Sequence, residues 1–181
     1  MIHKDFESML FSESQISSRI AEMAAQIDHD YKDKSPLMVG VLKGSFIFMS
    51  DLMRALTVDC SVDFLAVSSY GAKSETTGQV RMLKDIDQDI EGLDVLVIED
   101  ILDSGVTLSY ILELLRARKP ASIKICTLLD KPSRRKIHVD VHYTGFVISD
   151  AFVVGYGFDY NEKYRNMPYI GILNRNVYCN E

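Results

Sequence analysis

The stretch VLVIEDILDSGVT, Val95 to Thr107, is the strongest indication of the fold and of a binding site. It continues an apolar run, Leu93 to Glu99, which is typical of a strand buried on both faces of a parallel sheet. Its last part, Asp103 to Thr107, contains Asp, Ser, Gly and Thr, which are common where a helix begins. Ligands of open parallel sheets bind beyond the carboxyl ends of the strands, so this junction is the first candidate site.

The segment Asp103 to Thr107 has the chemistry of a phosphate-binding loop. A helix N-terminus presents free N–H groups, and Gly105 lets the backbone approach an anion closely. The neighbouring carboxylates of Glu99 and Asp100 would repel a phosphate unless they bind sugar hydroxyls or Mg²⁺. The combination predicts a site for a phosphorylated ribose.

The rest of the chain alternates strand patterns with amphipathic helix patterns. The predicted strands are Leu37 to Leu42, Ser61 to Val67, Arg81 to Ile86, Ser122 to Leu129, Phe146 to Ile148 and Phe152 to Val154. The first predicted helix begins at a capping box of Ser12 and Gln15 and ends before the polar loop Asp28 to Ser35. Two further helices are predicted, Phe46 to Leu56 and Thr107 to Arg118. This order predicts an α/β fold: one domain, residues 1–181, with a mainly parallel central sheet flanked by helices.

The composition is that of a soluble globular protein, with 47% hydrophobic and 25% charged residues in 181. A net charge of −6, from 20 basic and 26 acidic residues, argues against a general nucleic-acid or anionic-membrane surface. Asp5 and Glu7 interrupt the apolar region that a signal peptide needs. Cys60, Cys126 and Cys179 lie far apart and predict free thiols in a reducing compartment, so we expect a cytoplasmic protein.

VLVIEDILDSGVT resembles the phosphoribosyl-pyrophosphate (PRPP) motif of the type I phosphoribosyltransferases, in which a hydrophobic strand leads to two acidic residues and a phosphate-binding loop. The similarity covers nearly the whole chain and is strongest to the hypoxanthine(-guanine) phosphoribosyltransferases. Further blocks carry it in that family's order: Leu42 to Ser45, Ser68 to Gly71, Leu128 to Lys131, Phe152 to Tyr160, and Tyr164-Arg165. The resemblance implies the type I fold, with a small hood formed by the N- and C-terminal segments.

The resemblance also implies a glycosyltransferase of purine salvage that uses Mg²⁺. It would transfer the 5-phosphoribosyl group from PRPP to hypoxanthine, and also to guanine, giving the nucleoside monophosphate and pyrophosphate. Glu99 and Asp100 would bind the ribose hydroxyls, directly or through Mg²⁺, and Asp103 would exchange a proton with N7 of the purine. The loop that holds the 5′-phosphate would consist of Asp103, Ser104, Gly105, Val106 and Thr107.

Other roles implied by the resemblance fall on separate loops. The pyrophosphate-binding residues would be Leu42, Lys43, Gly44 and Arg165, with a cis peptide bond between Leu42 and Lys43. A mobile loop, Ser68 to Gly78, would close over the site and exclude water through Ser69 and Tyr70. Asp159 would be a second Mg²⁺ ligand.

The purine-binding residues would be Lys131, Phe152 and Val153. Lys131 would donate to the 6-oxo group, which selects against adenine because adenine presents an amino donor at that position. Phe152 would stack on the ring, and Val153 would meet its edge through the backbone. The basic run Arg134 to Lys136 is interpreted as a solvated turn.

Two other interpretations stay open. A xanthine- or guanine-preferring relative would share these residues, because contacts to position 2 of the base are made largely by backbone groups. Regulatory proteins that bind nucleic acid and sense PRPP also carry this motif, although the acidic composition, Asp103 and Lys131 favour an enzyme. Since relatives form dimers and tetramers, we expect a homodimer or homotetramer, with the apolar stretch Tyr169 to Leu173 as a candidate contact.

Overall fold

The computed structural model describes residues 2–69 and 80–179, and within these ranges it contains four α-helices and nine strands. The helices are α1 (Glu13–Asp30), α2 (Phe46–Ala55), α3 (Val106–Arg116) and α4 (Arg175–Tyr178). The strands are β1 (Phe6–Phe11), β2 (Leu37–Leu42), β3 (Ser61–Ser69), β4 (Val80–Lys84), β5 (Asp94–Leu102), β6 (Ser122–Asp130), β7 (Tyr143–Val147), β8 (Val153–Val154) and β9 (Ile170–Leu173). A turn of 3₁₀-helix spans Pro132–Arg134.

The larger of the two described sheets has six strands in the order β4-β3-β2-β5-β6-β7. All of its neighbouring strands are parallel except β3 and β4, which confirms the mainly parallel sheet. The pairing of β2 with β5 includes Gly40 opposite Ile98, two residues before Leu42 and Asp100 on the two strands. The loop after β2 therefore lies beside the acidic end of β5.

Helices cover both faces of the central sheet because alternate residues of a strand point to opposite sides. Met38 and Leu96 belong to the core that includes α1 and α2, whereas Val39 and Val97 belong to the core that includes α3. The apolar runs are thus buried from Leu37 to Val41 in β2 and from Val95 to Ile98 in β5, as the sequence predicted for most of their length. None of the helices in the described ranges is long and apolar enough to cross a membrane.

The boundaries of some elements differ from the prediction. The capping box of Ser12 and Gln15 is confirmed, but α1 continues to Asp30, so the predicted loop begins three residues too early. The carboxylate of Asp28 accepts hydrogen bonds from the N–H groups of Thr57 and Val58, which joins this last helical turn to the segment that follows α2. β5 continues to Leu102 because it keeps pairing with β6, three residues beyond the predicted end at Glu99, so Asp100 also lies within the strand.

β1, β9 and β8 form a separate antiparallel sheet in that order, with a small core of Phe6, Val154, Tyr164, Tyr169 and Leu173. This sheet joins the N- and C-terminal segments and confirms the predicted hood. The stretch Tyr169 to Leu173, the candidate subunit contact, contains β9, the central strand of the hood. Tyr169, Ile170 and Leu173 are buried within this chain, which leaves little apolar surface for a subunit contact, and the oligomeric state stays a prediction.

Candidate active site

A cavity of about 860 Å³ lies between the carboxyl end of the central sheet and the hood. The predicted site residues that line it come from three separate segments: Asp100, Asp103, Lys131, Phe152, Val153 and Asp159. Ile101 on β5, and Arg175 and Tyr178 on α4, line it as well. The fold therefore brings the residues assigned to ribose, purine and metal binding to one place.

Glu99 and Asp100 form a partly buried carboxylate pair near the carboxyl end of β5. Burial raises the pKa of Glu99 well above its usual value, and the charge of Asp100 and a hydrogen bond between the two carboxyl groups raise it further. Burial also raises the pKa of Asp100, although hydrogen bonds from Glu99 and the Ile101 N–H and the charge of Arg165 oppose this shift. Such a pair needs a positive charge or hydrogen-bond donors from a ligand if both groups are to be ionised.

The loop after β2 contacts this pair directly. The Leu42–Lys43 peptide bond is cis, as the resemblance implied. Gly44 lies against the Asp100 carboxylate, and its carbonyl lies against Gly157, where the backbone has a φ of +99°. The predicted pyrophosphate loop, the acidic end of β5 and the segment after β8 therefore meet at one point.

The segment Arg135 to Ile137 supports the predicted phosphate-binding loop through hydrogen bonds, a role that the sequence did not indicate. The carbonyl of Ser104 accepts hydrogen bonds from the N–H groups of Lys136 and Ile137, at 2.9 and 3.0 Å. The Nε of Arg135 donates to the carbonyl of Asp103 at 3.1 Å, and its guanidinium forms an ion pair with Asp130. The interpretation of Arg135 as a solvated turn residue was wrong, because its side chain is only 17% exposed.

Gly105 is the residue that opens α3 within this loop. It has a φ of +81°, and a Cβ there would lie 2.3 Å from the carbonyl oxygen of Ile137, so only glycine fits. Gly105 has no side chain that could cap α3, and the N–H of Val106 donates to Oγ of Ser104 at a long 3.4 Å. The N-terminus of α3 therefore carries only this weak side-chain contact from its own loop, and its binding of a phosphate stays a prediction.

Four buried side-chain polar atoms in the described ranges have no hydrogen-bond partner, and they belong to Tyr31, Glu99, Asp103 and Arg165. Three of these, Glu99 Oε2, Asp103 Oδ1 and Arg165 Nε, are on predicted site residues. Buried polar groups in folded proteins are nearly always paired. Asp103 lines the cavity, while Glu99 and Arg165 adjoin its lining residues Asp100 and Asp159. These three unpartnered atoms indicate groups that a polar ligand would satisfy.

Lys131 and Phe152, the residues that the resemblance assigns to the purine, both line the cavity. Lys131 is 7% exposed, its N–H donates to the Leu102 carbonyl at 2.9 Å, and its Nζ lies 3.6 Å from Oδ1 of Asp150. Phe152 is 39% exposed and stacks on Tyr178, with ring centroids 5.0 Å apart and an interplanar angle of 22°. Sequence analysis did not find Tyr178, since an aromatic residue near the end of the chain carries no specific signal.

Arg165 and Asp159 form the remaining wall of the candidate site. Arg165 donates to the Gly157 carbonyl at 2.7 Å and forms an ion pair with Asp159 at 2.8 Å. Within the described ranges, no group of three His, Cys, Asp or Glu side chains is arranged to hold a metal ion. Asp159 is therefore not part of one three-carboxylate cluster with Glu99 and Asp100.

The predicted mobile loop lies mostly outside the described residues. Ser69 is the last residue of β3, and Tyr70 falls in the segment that is not described. Their assignment stays a prediction.

Residues 8–161 match the family described as "Phosphoribosyl transferase domain". The chain belongs to the phosphoribosyl transferase family. Among phosphoribosyltransferases, the hypoxanthine-guanine phosphoribosyltransferase of Bacillus subtilis is 51% identical over 178 residues, covering 98% of this chain and 99% of the relative. The hypoxanthine phosphoribosyltransferase of Escherichia coli is 53% identical over 165 residues, covering 90% and 93%.

Solved structures of phosphoribosyltransferases have the same fold. The crystal structure of a hypoxanthine phosphoribosyltransferase from Staphylococcus aureus superposes with a TM-score of 0.94 at 50% sequence identity, covering 97% of this chain and 96% of that one. The type I phosphoribosyltransferase fold expected from the sequence is thereby confirmed over nearly the full chain.

Proposed function

We propose that this phosphoribosyltransferase transfers the 5-phosphoribosyl group of PRPP to hypoxanthine and guanine in purine salvage, giving IMP or GMP and pyrophosphate. The observation that carries the proposal is the buried, unpartnered Oδ1 of Asp103 in the cavity that also contains Lys131 and Phe152. Two further unpartnered atoms lie on neighbours of cavity residues: Oε2 of Glu99, next to Asp100 in the chain, and Nε of Arg165, which pairs with Asp159. The two relatives with 51% and 53% identity bear the names of this activity, which supports the same function.

The purine is recognised at the hood side of the cavity. Lys131, buried and held near Asp150, donates to the 6-oxo group of the base. Phe152 stacks on the purine ring, and the backbone of Val153 contacts its edge. An amino group at position 6 would face the donor Lys131 without an acceptor, so adenine is rejected.

PRPP binds along the carboxyl end of the sheet. The amides and hydroxyls of Ser104, Gly105, Val106 and Thr107 hold the 5′-phosphate at the N-terminus of α3. Glu99 and Asp100 accept from the ribose hydroxyls. The pyrophosphate lies against the loop of Leu42, Lys43 and Gly44 and the guanidinium of Arg165.

Mg²⁺ fits the carboxylate pair of Glu99 and Asp100. The pair offers hard oxygen ligands, one of which, Oε2 of Glu99, is buried without a partner. Proteins commonly bind Mg²⁺ through one or two carboxylates, and water molecules and substrate phosphates are its other ligands. The pair of Glu99 and Asp100 agrees with this pattern. We assign Glu99 and Asp100 to one Mg²⁺ ion and Asp159 to a second. Bound Mg²⁺ would neutralise charge on the pyrophosphate leaving group.

The reaction forms a bond between a ring nitrogen of the base and C1′ of the ribose, while the bond from C1′ to pyrophosphate breaks. Asp103 exchanges a proton with N7 of the purine. Its Oδ1 suits this role because it is buried, has no hydrogen-bond partner and belongs to a residue that lines the cavity. Binding both substrates in one cavity supplies proximity. Ser69 and Tyr70 lie on the segment that excludes water during the step.

The test is product formation from PRPP, Mg²⁺ and each of hypoxanthine, guanine, xanthine and adenine, with a metal-free control. Mg²⁺-dependent conversion of hypoxanthine and guanine without conversion of adenine is expected. Turnover of xanthine alone would point to a xanthine-preferring enzyme. Absence of turnover with any base, while PRPP still binds, would favour a regulatory protein.

We further propose that the enzyme works in the cytoplasm as a homodimer or homotetramer. Cys60, Cys126 and Cys179 are free thiols, which suits a reducing compartment. Phe46 and Met53, two turns apart on α2, expose large apolar side chains of the kind that subunit interfaces bury. Light scattering on the purified protein measures the assembly directly.

A further inference from the structure

One carboxylate contacts both cations that are assigned to pyrophosphate. Oε1 of Glu162 lies 3.0 Å from Nζ of Lys43, and Oε2 of the same side chain lies 3.4 Å from Nη2 of Arg165. The two oxygens of one carboxylate thus contact two cations. Lys43 is 119 residues away from Glu162 in the sequence, and Arg165 is 3 residues away. A phosphate group bound between Lys43 and Arg165 would use its oxygens in the same way.

The backbone around Glu162 is built to present this side chain. Tyr160 and Lys163 exchange backbone hydrogen bonds at 3.3 and 3.0 Å and so close a tight turn. Glu162 has a φ of +60° within it, and its N–H donates to Oδ2 of Asp159 at 2.9 Å. A left-handed conformation is uncommon for a glutamate, and here it directs the side chain toward Lys43 and Arg165.

Arg165 is held more firmly than the Glu162 carboxylate that it contacts. Arg165 is 19% exposed, and it is fixed by the Gly157 carbonyl and by Asp159. The Glu162 side chain is 65% exposed and has open solvent beside it. Since exposed ion pairs contribute little to stability, the Glu162 carboxylate can leave easily while Arg165 stays in place.

We propose that Glu162 is a resident anion of the pyrophosphate subsite: its carboxylate bridges Lys43 and Arg165 in the free enzyme, is displaced by the pyrophosphate group of the substrate, and returns as pyrophosphate leaves. This inference rests on the proposed function. A competing internal anion lowers the apparent affinity for pyrophosphate, because only the fraction of molecules with a vacated subsite can bind. It also assists product release, since it neutralises the two cations again.

The test is isothermal titration of the full-length protein with sodium pyrophosphate in MgCl₂, for the wild type, Glu162→Gln and Glu162→Ala. Both variants are expected to bind pyrophosphate about three- to tenfold more tightly, and the inhibition constant of pyrophosphate should fall in parallel. The matched control is Glu22→Gln. Glu22 is 62% exposed and paired with Arg19 on α1, and its variant should leave the affinity unchanged. Lys43→Met should weaken pyrophosphate binding, which would show that the titrated pyrophosphate binds beside Lys43.

A role of Glu162 in merely orienting the cations predicts the opposite sign. Weaker or unchanged pyrophosphate binding in Glu162→Gln would overturn the inference, and so would binding that Lys43→Met does not affect. These results leave the proposed function standing if the wild type still makes nucleotide from PRPP. A wild type that makes no nucleotide with any base would instead remove the proposed function itself.

Discussion

Gly44 and Asp100 are in such close contact that a Cβ on Gly44 would lie 1.5 Å from Oδ2 of Asp100 and 2.6 Å from its Cγ. The contact joins the loop after β2 to the acidic end of β5, two segments that are neighbours only because β2 and β5 pair in the sheet. The absence of a side chain at position 44 is therefore a requirement of the candidate active site.

Gly44→Ala should reduce kcat/KM by at least about 100-fold, because the Asp100 carboxylate must move by more than an ångström to make room. The measurement is steady-state kinetics with PRPP and hypoxanthine. Gly92→Ala is the control: Gly92 has a φ of +74° but open space around its Cα, so a side chain there costs stability and leaves the kinetics unchanged. A Gly44→Ala enzyme with normal kinetics would contradict the role given to this contact.

Asp103→Asn should lower kcat by about 10² to 10⁴-fold, since an amide cannot take up or return the proton of the purine. The affinity for PRPP should change much less, because the phosphate-binding groups of the same loop are backbone amides and hydroxyls. Single-turnover kinetics together with PRPP titration separate the two effects. Unchanged turnover would remove Asp103 as the proton-transfer group.

Lys131→Ala should erode the preference for 6-oxopurines. Hydrogen bonds to charged groups contribute about 1.5–3 kcal/mol, which corresponds to a rise of about 10 to 150-fold in KM for hypoxanthine. Lys136→Ala is the control for loss of one positive charge nearby, because that side chain is exposed. The assignment of Lys131 fails if the relative rates with the four bases are the same in both variants.

Arg135→Ala should weaken PRPP binding and lower kcat together, since the guanidinium that holds the Asp103 carbonyl is lost. We expect about a 10 to 100-fold loss in kcat/KM, with Arg135→Lys in between because an ammonium cannot reproduce the fork of donors. Lys136→Ala again serves as the control. An unaltered KM for PRPP in Arg135→Ala would show that the loop keeps its shape without this support.

The sequence was sufficient to predict the central sheet and six of the residues that line the cavity. The buried runs of β2 and β5 and the motif that follows them have strong local signals, and the sheet then brings Asp100, Lys131 and Phe152 to one cavity. β1 was not predicted, because exposed residues follow Phe6 and the strand depends on its pairing with β9.

Arg135 and Glu162 could not be found from the sequence for a different reason. A charged residue in a loop is usually solvated, and only the folded backbone shows that Arg135 reaches the Asp103 carbonyl. Glu162 likewise acquires its position from a left-handed turn and from a cation far away in the sequence, Lys43. Such long-range polar contacts leave no periodic pattern.

The last prediction concerns the hairpin of β3 and β4, which borders the predicted mobile loop. Asp63 on β3 is 7% exposed and accepts hydrogen bonds from the N–H groups of Phe64 and Asp87, at 2.7 and 2.8 Å, and from Nζ of Lys84 at 3.3 Å. Burial raises the pKa of Asp63, but these hydrogen bonds and the charge of Lys84 outweigh it and hold the pKa below its ordinary value of 3.8.

A carboxylate with a depressed pKa stabilises the folded state at any pH above its ordinary value, and this contribution is lost as the pH falls through the folded value. Asp63→Asn should therefore cost about 2 kcal/mol at pH 7, which lowers Tm by about 4–8 °C, and the difference from the wild type should shrink below about pH 4. Asp87→Asn is the control, because that side chain is 83% exposed and pairs with the same Lys84, so its cost should stay within about 0.5 kcal/mol. Melting curves followed by circular dichroism from pH 7 to pH 3 make the comparison, and a pH-independent difference between Asp63→Asn and the wild type would contradict the assignment.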